Sequence, residues 1–382
     1  MALTEQGGNL VGLNREELEN LAVRFGQPRY RGRQIYHGIY ARRVRDLSGL
    51  TDLSRDFRDT LASDGGIIYP KSEREFCSRD GAARYLFRLE DGNLVETVYM
   101  PEEERTTLCL SSQVGCALDC RFCFTALLGA KRNLTAGEII GQVLAVSARQ
   151  SLVRGTRLNL VFMGMGEPLL NLPQVLKAVA ILADPRGVGV PLRRITVSTV
   201  GIVPRIEELA LAPVRPKLAI SLNASDDEQR SALMPINKRY PLAELLRVCH
   251  AYPLRPWEHL TFEYVLLEGL NDSDNDARRT ADLLREIRAK VNLIPYNSGP
   301  ELPFRAPKFD RVDLTAVARH QLTNAGVDPA KILIADYCTA CRTDLFFSHR
   351  REGGRTGRQA AVIGIRGSGD RVSGGSGDPV IG

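Results

Sequence analysis

The 382-residue chain has no run of about 18 apolar residues, the least that crosses a membrane as a helix, and its first residues form no basic-then-apolar leader. A soluble, cytoplasmic protein with no membrane partner is expected. Cysteine is sparse: eight in the whole chain cannot build a disulfide scaffold. The five histidines gather nowhere. Acidic residues are missing altogether between Arg24 and Arg45, where seven arginines are interleaved with Tyr30, Tyr36 and Tyr40. The net charge of +6 is modest, so it is this local imbalance that suggests a surface for phosphates and stacked bases. A solvated helix face is the plainer alternative.

What is present is concentrated in one short run. Cys116, Cys120 and Cys123 lie within Gly-Cys-Ala-Leu-Asp-Cys-Arg-Phe-Cys-Phe, just after a strand-like segment. Three thiolates at this spacing can hold three corners of a 4Fe-4S cluster, leaving one iron free for a substrate or cofactor. A structural zinc knot is the alternative, but zinc wants four closed ligands, commonly in C-x2-C pairs. No fourth Cys or His lies near by in sequence.

The chain divides by pattern. Residues 1 to about 10 read as a loose tail, and a helical N-terminal domain of nucleic-acid-binding composition runs to about residue 70, with Asn14 as N-cap of its first helix. Residues 71–104 contain a β-hairpin, Tyr85 to Leu89 and Leu94 to Tyr99 about the turn Glu90-Asp91-Gly92-Asn93. From 105 to 306 strand and helix patterns alternate six times, with strands expected near Thr107, Leu158, Arg194, Lys217, Leu260 and Val291. A full (βα)8 barrel needs eight such units. The expected fold is therefore α/β: an open six-unit (βα)6 partial TIM barrel with a small helical N-terminal domain and a β-hairpin. Residues 307–365 break the alternation, and 366–382, rich in Gly, Ser and Asp, read as disordered.

The polar motifs fall where these strands end, at the carboxyl edge on which such folds place chemistry. Gly164-Met-Gly166-Glu167-Pro168 follows the second strand; its glycines would let backbone approach a ligand, and Glu167 could accept from an amino group. A plain turn is the alternative. Ser198, Ser221 with Leu222 and Asn223, and Asn297 end later strands, and each polar one could equally cap the next helix. By pattern alone Glu96 is an exposed strand residue and Cys109 a small buried hydrophobe. Cys338 and Cys341 form a lone C-x2-C pair.

The cysteine spacing followed by Gly-Glu-Pro resembles the radical SAM superfamily. The longer runs Cys109-Leu-Ser-Ser-Gln-Val-Gly-Cys116, Arg132-Asn-Leu-Thr, Met163 to Asn171, Pro235-Ile-Asn-Lys238 and Asn292 to Pro295 resemble its RlmN/Cfr branch over about residues 11–306. That resemblance implies methylation of carbon 2 of adenosine in 23S rRNA, and in tRNA. It implies a [4Fe-4S] cluster on Cys116, Cys120 and Cys123, and two S-adenosylmethionine per turnover. Cofactor contacts would come from Gly166, Glu167, Ser198, Ser221, Leu222, Asn223 and Asn297. One S-adenosylmethionine methylates a cysteine near the C-terminus. A second, cleaved by an electron from a donor such as flavodoxin, yields a radical that activates the S-methyl group toward the base. Cys109 then takes the position of the cysteine that releases product by forming a disulfide, and Glu96 that of the base.

The C-terminus departs from this pattern. In place of the family's Ala-Ala-Cys-Gly-Gln-Leu stretch the chain reads Tyr337-Cys338-Thr-Ala-Cys341-Arg-Thr. Cys341 is the positional candidate for the methyl carrier, with Cys338 behind it. Residues 310–365 resemble instead the closing segment of laccase-domain proteins. A carbon-8 methyltransferase of the Cfr type, or an RNA-binding remnant impaired by this altered tail, are the alternatives.

Overall fold

The computed structural model describes residues 8–102 and 105–307, which all lie in one compact unit of the chain. Three helices open it: α1 (Arg15–Arg24), α2 (Arg29–Tyr40) and α3 (Arg55–Asp64). Asn14 caps α1 in a reciprocal box, its side chain accepting from Glu17 N–H at 2.9 Å while Glu17 accepts from Asn14 N–H at 2.7 Å. The loose tail expected up to residue 10 is shorter than that. Asn9 bonds both backbone groups of Ile68, and Leu10 and Val11 are buried, because these apolar residues are needed to close the helical layer.

The strands follow as β1 (Lys71–Cys77), β2 (Ala83–Arg88), β3 (Leu94–Pro101), β4 (Thr106–Cys109), β5 (Gln113–Gly115) and β6 (Ala130–Asn133). Alternation then sets in: α4 (Ala136–Arg149), β7 (Leu158–Phe162), α5 (Leu172–Ala183), β8 (Ile195–Thr199), α6 (Val203–Ala210), β9 (Lys217–Ser221), α7 (Asp227–Leu233), α8 (Leu242–His250), β10 (Leu260–Leu266), α9 (Asp274–Leu284) and β11 (Ala289–Pro295). One nine-stranded sheet runs β1-β2-β3-β4-β7-β8-β9-β10-β11, and β5 pairs with β6 apart from it. From β4 onward every neighbour is parallel, which gives the six expected strands in an open arrangement. The hairpin is present but does not stand alone. It carries a third strand, β1, and β3 pairs antiparallel with β4, so the hairpin extends the main sheet.

The central strands are apolar because helices cover them; all five residues of β8 are buried. Thr135 and Glu138 form a second capping box at α4, and Glu138 also takes a two-pronged bond from Arg132 at 2.7 and 2.8 Å, tying β6 to that helix.

The N-terminal helices are fastened to the core at several points. Tyr36 donates to Asp184 at 2.9 Å and Lys177 pairs with Glu17 at 2.7 Å. Gly12 lies so close to α4 that a Cβ would meet Gly137 N at 2.4 Å. Tyr36 and Tyr40 are consequently buried, Tyr40 with its hydroxyl donating to Leu13 O at 2.8 Å. This corrects the expected stacking surface. Of the three tyrosines only Tyr30 is exposed, and the Arg31 guanidinium already lies 4.9 Å from its ring centroid.

Candidate active site at the carboxyl ends of the parallel strands

The cysteine loop is built on a glycine. Gly115, at φ +74°, ends β5 so close to the next strand that a Cβ would fall 1.7 Å from Gly129 O. Cys116 N–H then donates to the same oxygen at 3.0 Å, Leu118 N–H turns onto Cys116 Sγ at 3.5 Å, and Cys123 N–H closes on Cys120 O at 3.0 Å. All three are free thiols. Cys120 is buried with Leu233, Met234, Leu267 and Tyr296 in a small apolar cluster separate from the main core. Burial pushes its thiol up to about 12, and Cys123, Cys116 and Glu167 reinforce the effect. Cys116 is raised for the same reason.

This donor set fits a cluster. Three neighbouring thiols, none in a disulfide, form the thiolate donor set that such a cluster takes, and its binding would displace the protons that burial holds on Cys116 and Cys120. Among the described residues no three His, Cys, Asp or Glu side chains converge on a position for one ion. A cubane spreads its thiolates over separate irons and needs no such convergence.

The Gly-Glu-Pro loop is stitched to the segment ahead of the cysteines. Met165 O accepts from Ser112 and Gln113 N–H, Met165 N–H donates to Ser111 Oγ at 3.0 Å, and Glu167 N–H donates to Gln113 Oε1 at 2.7 Å. The glycines serve this close approach to the protein itself. A Cβ on Gly166, at φ +97°, would meet Gln113 Cβ at 2.5 Å, and one on Gly164 would meet Leu110 backbone at 2.8 Å. This packing is one reason for glycine at both positions, beside the ligand approach expected of them. Glu167 is buried, accepting from Leu169 N–H at 3.0 Å and Val200 N–H at 2.9 Å. Burial lifts its carboxyl to about 7, against those bonds and one from Thr199.

Ser198 is buried near the end of β8, and Ser221 and Leu222 close β9. Asn223 is held at φ +55°. Its Oδ1 accepts from Val265 N–H at 2.8 Å and its amide nitrogen lies 3.3 Å from Met234 Sδ, so its side chain is spent on tying β9 to β10. Asn297 lies two residues past β11 and is exposed.

At the other flank, Cys109 ends β4 opposite Val98 of β3. Its thiol is pushed up to about 12 by burial and further by the nearby Glu96 carboxylate, while Met163 N–H donates to it. Glu96 is ion-paired with Arg84 at 3.1 Å. Glu96, two residues before Val98 on β3, therefore lies on the same face of the sheet as Cys109. Cys338 and Cys341 lie outside the described residues.

Three buried polar residues escaped the sequence reading. Gln142 of α4 accepts from Ser111 N–H at 2.9 Å and Thr97 Oγ1 at 2.8 Å, and donates to Ser111 O. Asn171 donates to Ser112 O and Leu134 O, both at 2.8 Å. Arg230 of α7 is fully buried and donates to Leu222 O, Asn237 Oδ1, Val200 O and Ser221 O. The only sequence signal for the first two was a polar residue interrupting an apolar face. Arg230 gave none.

Comparison with known proteins bears on this geometry. Residues 110–282 match the model of the radical SAM superfamily, and residues 8–67 that of the ribosomal RNA large subunit methyltransferase N-terminal domain. A protein of Koribacter versatilis (strain Ellin345) named probable dual-specificity RNA methyltransferase RlmN is 50% identical over 307 residues, covering 76% of this chain and 88% of its own. The chain belongs to the RlmN family. The RlmN protein of Geotalea uraniireducens (strain Rf4) is 49% identical over 298 residues, with 78% and 85% covered. The crystal structure of a radical SAM methyltransferase from Sphaerobacter thermophilus superposes with TM-score 0.78 at 43% identity, covering 82% of this chain and 92% of that one. With RlmN membership go radical SAM chemistry, a 4Fe-4S cluster and S-adenosylmethionine. Residues 288–366 match a further model, multi-copper polyphenol oxidoreductase laccase. That match begins earlier than the 310 expected. Yet Ala289–Pro295 is β11, paired with β10 at seven successive positions, so this strand serves the RlmN sheet.

Proposed function

We propose that the protein methylates carbon 2 of an adenosine in 23S rRNA, and of one in tRNA, through an S-methylcysteine on its own chain, in the cytoplasm. The observation that supports this reading is that Cys109 and Glu96, the positions given by the resemblance to the releasing cysteine and the base, share one face of the β3–β4 pair. When bound, the cluster and S-adenosylmethionine supply one-electron cleavage of a carbon–sulfur bond, fed by a donor such as flavodoxin.

The remaining work falls to the chain. Cys116, Cys120 and Cys123 would hold the cluster. Gly166, Glu167, Ser198, Ser221, Leu222, Asn223 and Asn297 line the strand ends where both S-adenosylmethionine molecules of a turnover would bind in succession; Glu167 offers its buried carboxylate to an ammonium group. Asn223 contributes by fixing backbone, since its amide is engaged within the protein. Cys109 is a neutral thiol at rest, which keeps it from attacking before the base is methylated. Glu96, ion-paired with Arg84, is the proposed base that takes a proton from the adenine. Cys341 is the proposed methyl carrier.

RNA from a deletion strain complemented with this gene, digested and analysed by mass spectrometry, tests the proposal. Carbon-2 methyladenosine is expected, and carbon-8 methyladenosine would assign the Cfr-type reaction. The laccase-type match at 288–366 favours a second reading, a protein that cleaves S-adenosylmethionine but leaves RNA unmethylated. Formation of 5′-deoxyadenosine without methylated RNA would establish it.

A further inference from the structure

Arg230 is the largest fully buried side chain among the described residues, and none of its hydrogen-bond partners carries a charge. Its Nε donates to Leu222 O at 3.2 Å, Nη1 to Asn237 Oδ1 at 2.9 Å, and Nη2 to Val200 O at 2.6 Å and Ser221 O at 3.1 Å. No carboxylate stands within ion-pairing distance of it among the described residues. Asp227 reaches it only through Asn237, whose Oδ1 accepts from Nη1 and whose Nδ2 donates to Asp227 Oδ1 at 2.8 Å, and a buried guanidinium without a direct ion pair is costly to keep. The contrast with Arg215 makes this plain, since that buried arginine pairs with Glu258 at 3.3 Å.

A direct negative partner would lie on the side of the cysteine loop. Helix α7 carries Arg230 against the cysteine loop, where Arg121 N–H donates to Leu233 O at 2.9 Å and Leu233 and Met234 pack with Cys120. Met234, which packs with Cys120, donates its N–H to Arg230 O at 2.7 Å, and the Arg230 and Cys120 charges favour one another. A cubane with three thiolates is an anion, and accepting one electron makes it more negative by one unit.

We propose that Arg230 is a positioning residue with two tasks: its charge is the fixed counter-ion of the cluster and raises the cluster's reduction potential, and its fork holds the β8 and β9 ends in register. The potential argument is electrostatic. A cation in a dry site stabilises the reduced, more negative state over the oxidised one. The fork argument is geometric. Val200 N–H donates to Glu167 while Val200 O accepts from Arg230, so the guanidinium braces the backbone beneath that carboxylate. The inference rests on the cluster assignment of the preceding section.

The test compares wild type, Arg230→Lys and Arg230→Met, reconstituted anaerobically with iron and sulfide. Iron content is measured, and the cluster is titrated with dithionite while its paramagnetic signal is followed. Arg230→Met is expected to have a more negative midpoint than wild type. Arg230→Lys should keep a midpoint near that of wild type but bind S-adenosylmethionine at least tenfold more weakly, because an ammonium cannot reach four acceptors. A midpoint of Arg230→Met equal to wild type, or one of Arg230→Lys displaced as far as that of Met, overturns the proposal. If Met takes up no cluster while Lys does, the need for a charge is upheld; if neither does, the residue only shapes the site and the proposal falls. Wild type without a cluster would refute the cluster assignment itself, a separate outcome.

Discussion

Glu167 accepts bonds from two backbone N–H groups and Thr199, and no cation stands opposite it among the described residues. Its carboxyl is raised from 4.5 to about 7 by burial, so the folded state binds a proton that the unfolded chain has released. The associated stability is full below about 4.5 and is lost as pH rises through about 7. An arriving ammonium reverses the preference, because it binds the ionised form. Affinity for S-adenosylmethionine is expected to be level above pH about 7 and to fall about tenfold for each unit well below it. Calorimetric titration across this range checks it; Glu167→Gln should bind roughly ten- to hundredfold more weakly, with the pH slope gone. Among the cysteines, Cys120→Ser is expected to abolish cubane absorption after anaerobic reconstitution, whereas Cys249→Ser, at a buried site in the main core, should retain it. These residues differ in legibility. The trio was readable because its spacing is chemistry written along the chain. Arg230 was not, since a charge at an inward position contradicts the apolar pattern by which inward positions are found.

Among the elements, the apolar strands in the middle of the parallel sheet were the easiest to read. Strands β7 to β10 are short apolar runs, and their positions follow the sequence expectation to within a residue or two. Strand β1 was missed because it has almost no buried residue, so no alternation marks it. Helix α7 was missed because it spans seven residues and buries only Arg230 and Leu233. The glycines of the Gly-Glu-Pro loop also pack against Leu110 and Gln113, a long-range contact that no local pattern encodes. Gln142 is the joint between α4, β3 and the segment ahead of Cys116. Gln142→Leu is expected to destabilise the protein by about 1–3 kcal/mol, since Ser111 N–H and Thr97 Oγ1 lose a buried acceptor. Urea denaturation measures this, with Asn14→Ala at the α1 cap as a comparison expected to cost about 1 kcal/mol and to leave cluster content unchanged.

At the scale of the whole molecule, the α/β class and six parallel strands were legible because their period is set by backbone geometry, and the helical N-terminal layer because of its caps. Its relation to the rest was not legible, for Tyr36 and Asp184 are 148 positions apart. Because the cluster binds the folded chain alone, its removal is expected to lower the thermal midpoint by several degrees, and re-loading should restore it. A loss in wild type much larger than in Arg230→Met would agree with a stranded internal charge. Among the described residues no helix is long and apolar enough to cross a membrane.

The ties from Gly12, Tyr36 and Lys177 give the amino-terminal layer a set distance from the cysteine loop. Such an anchorage works as a ruler: on the proposed function, an RNA held by this layer would meet the reactive pocket at a span it did not choose. The nucleic acid would then do the bending, and the proposed adenosine would have to swing out of its stack to be served.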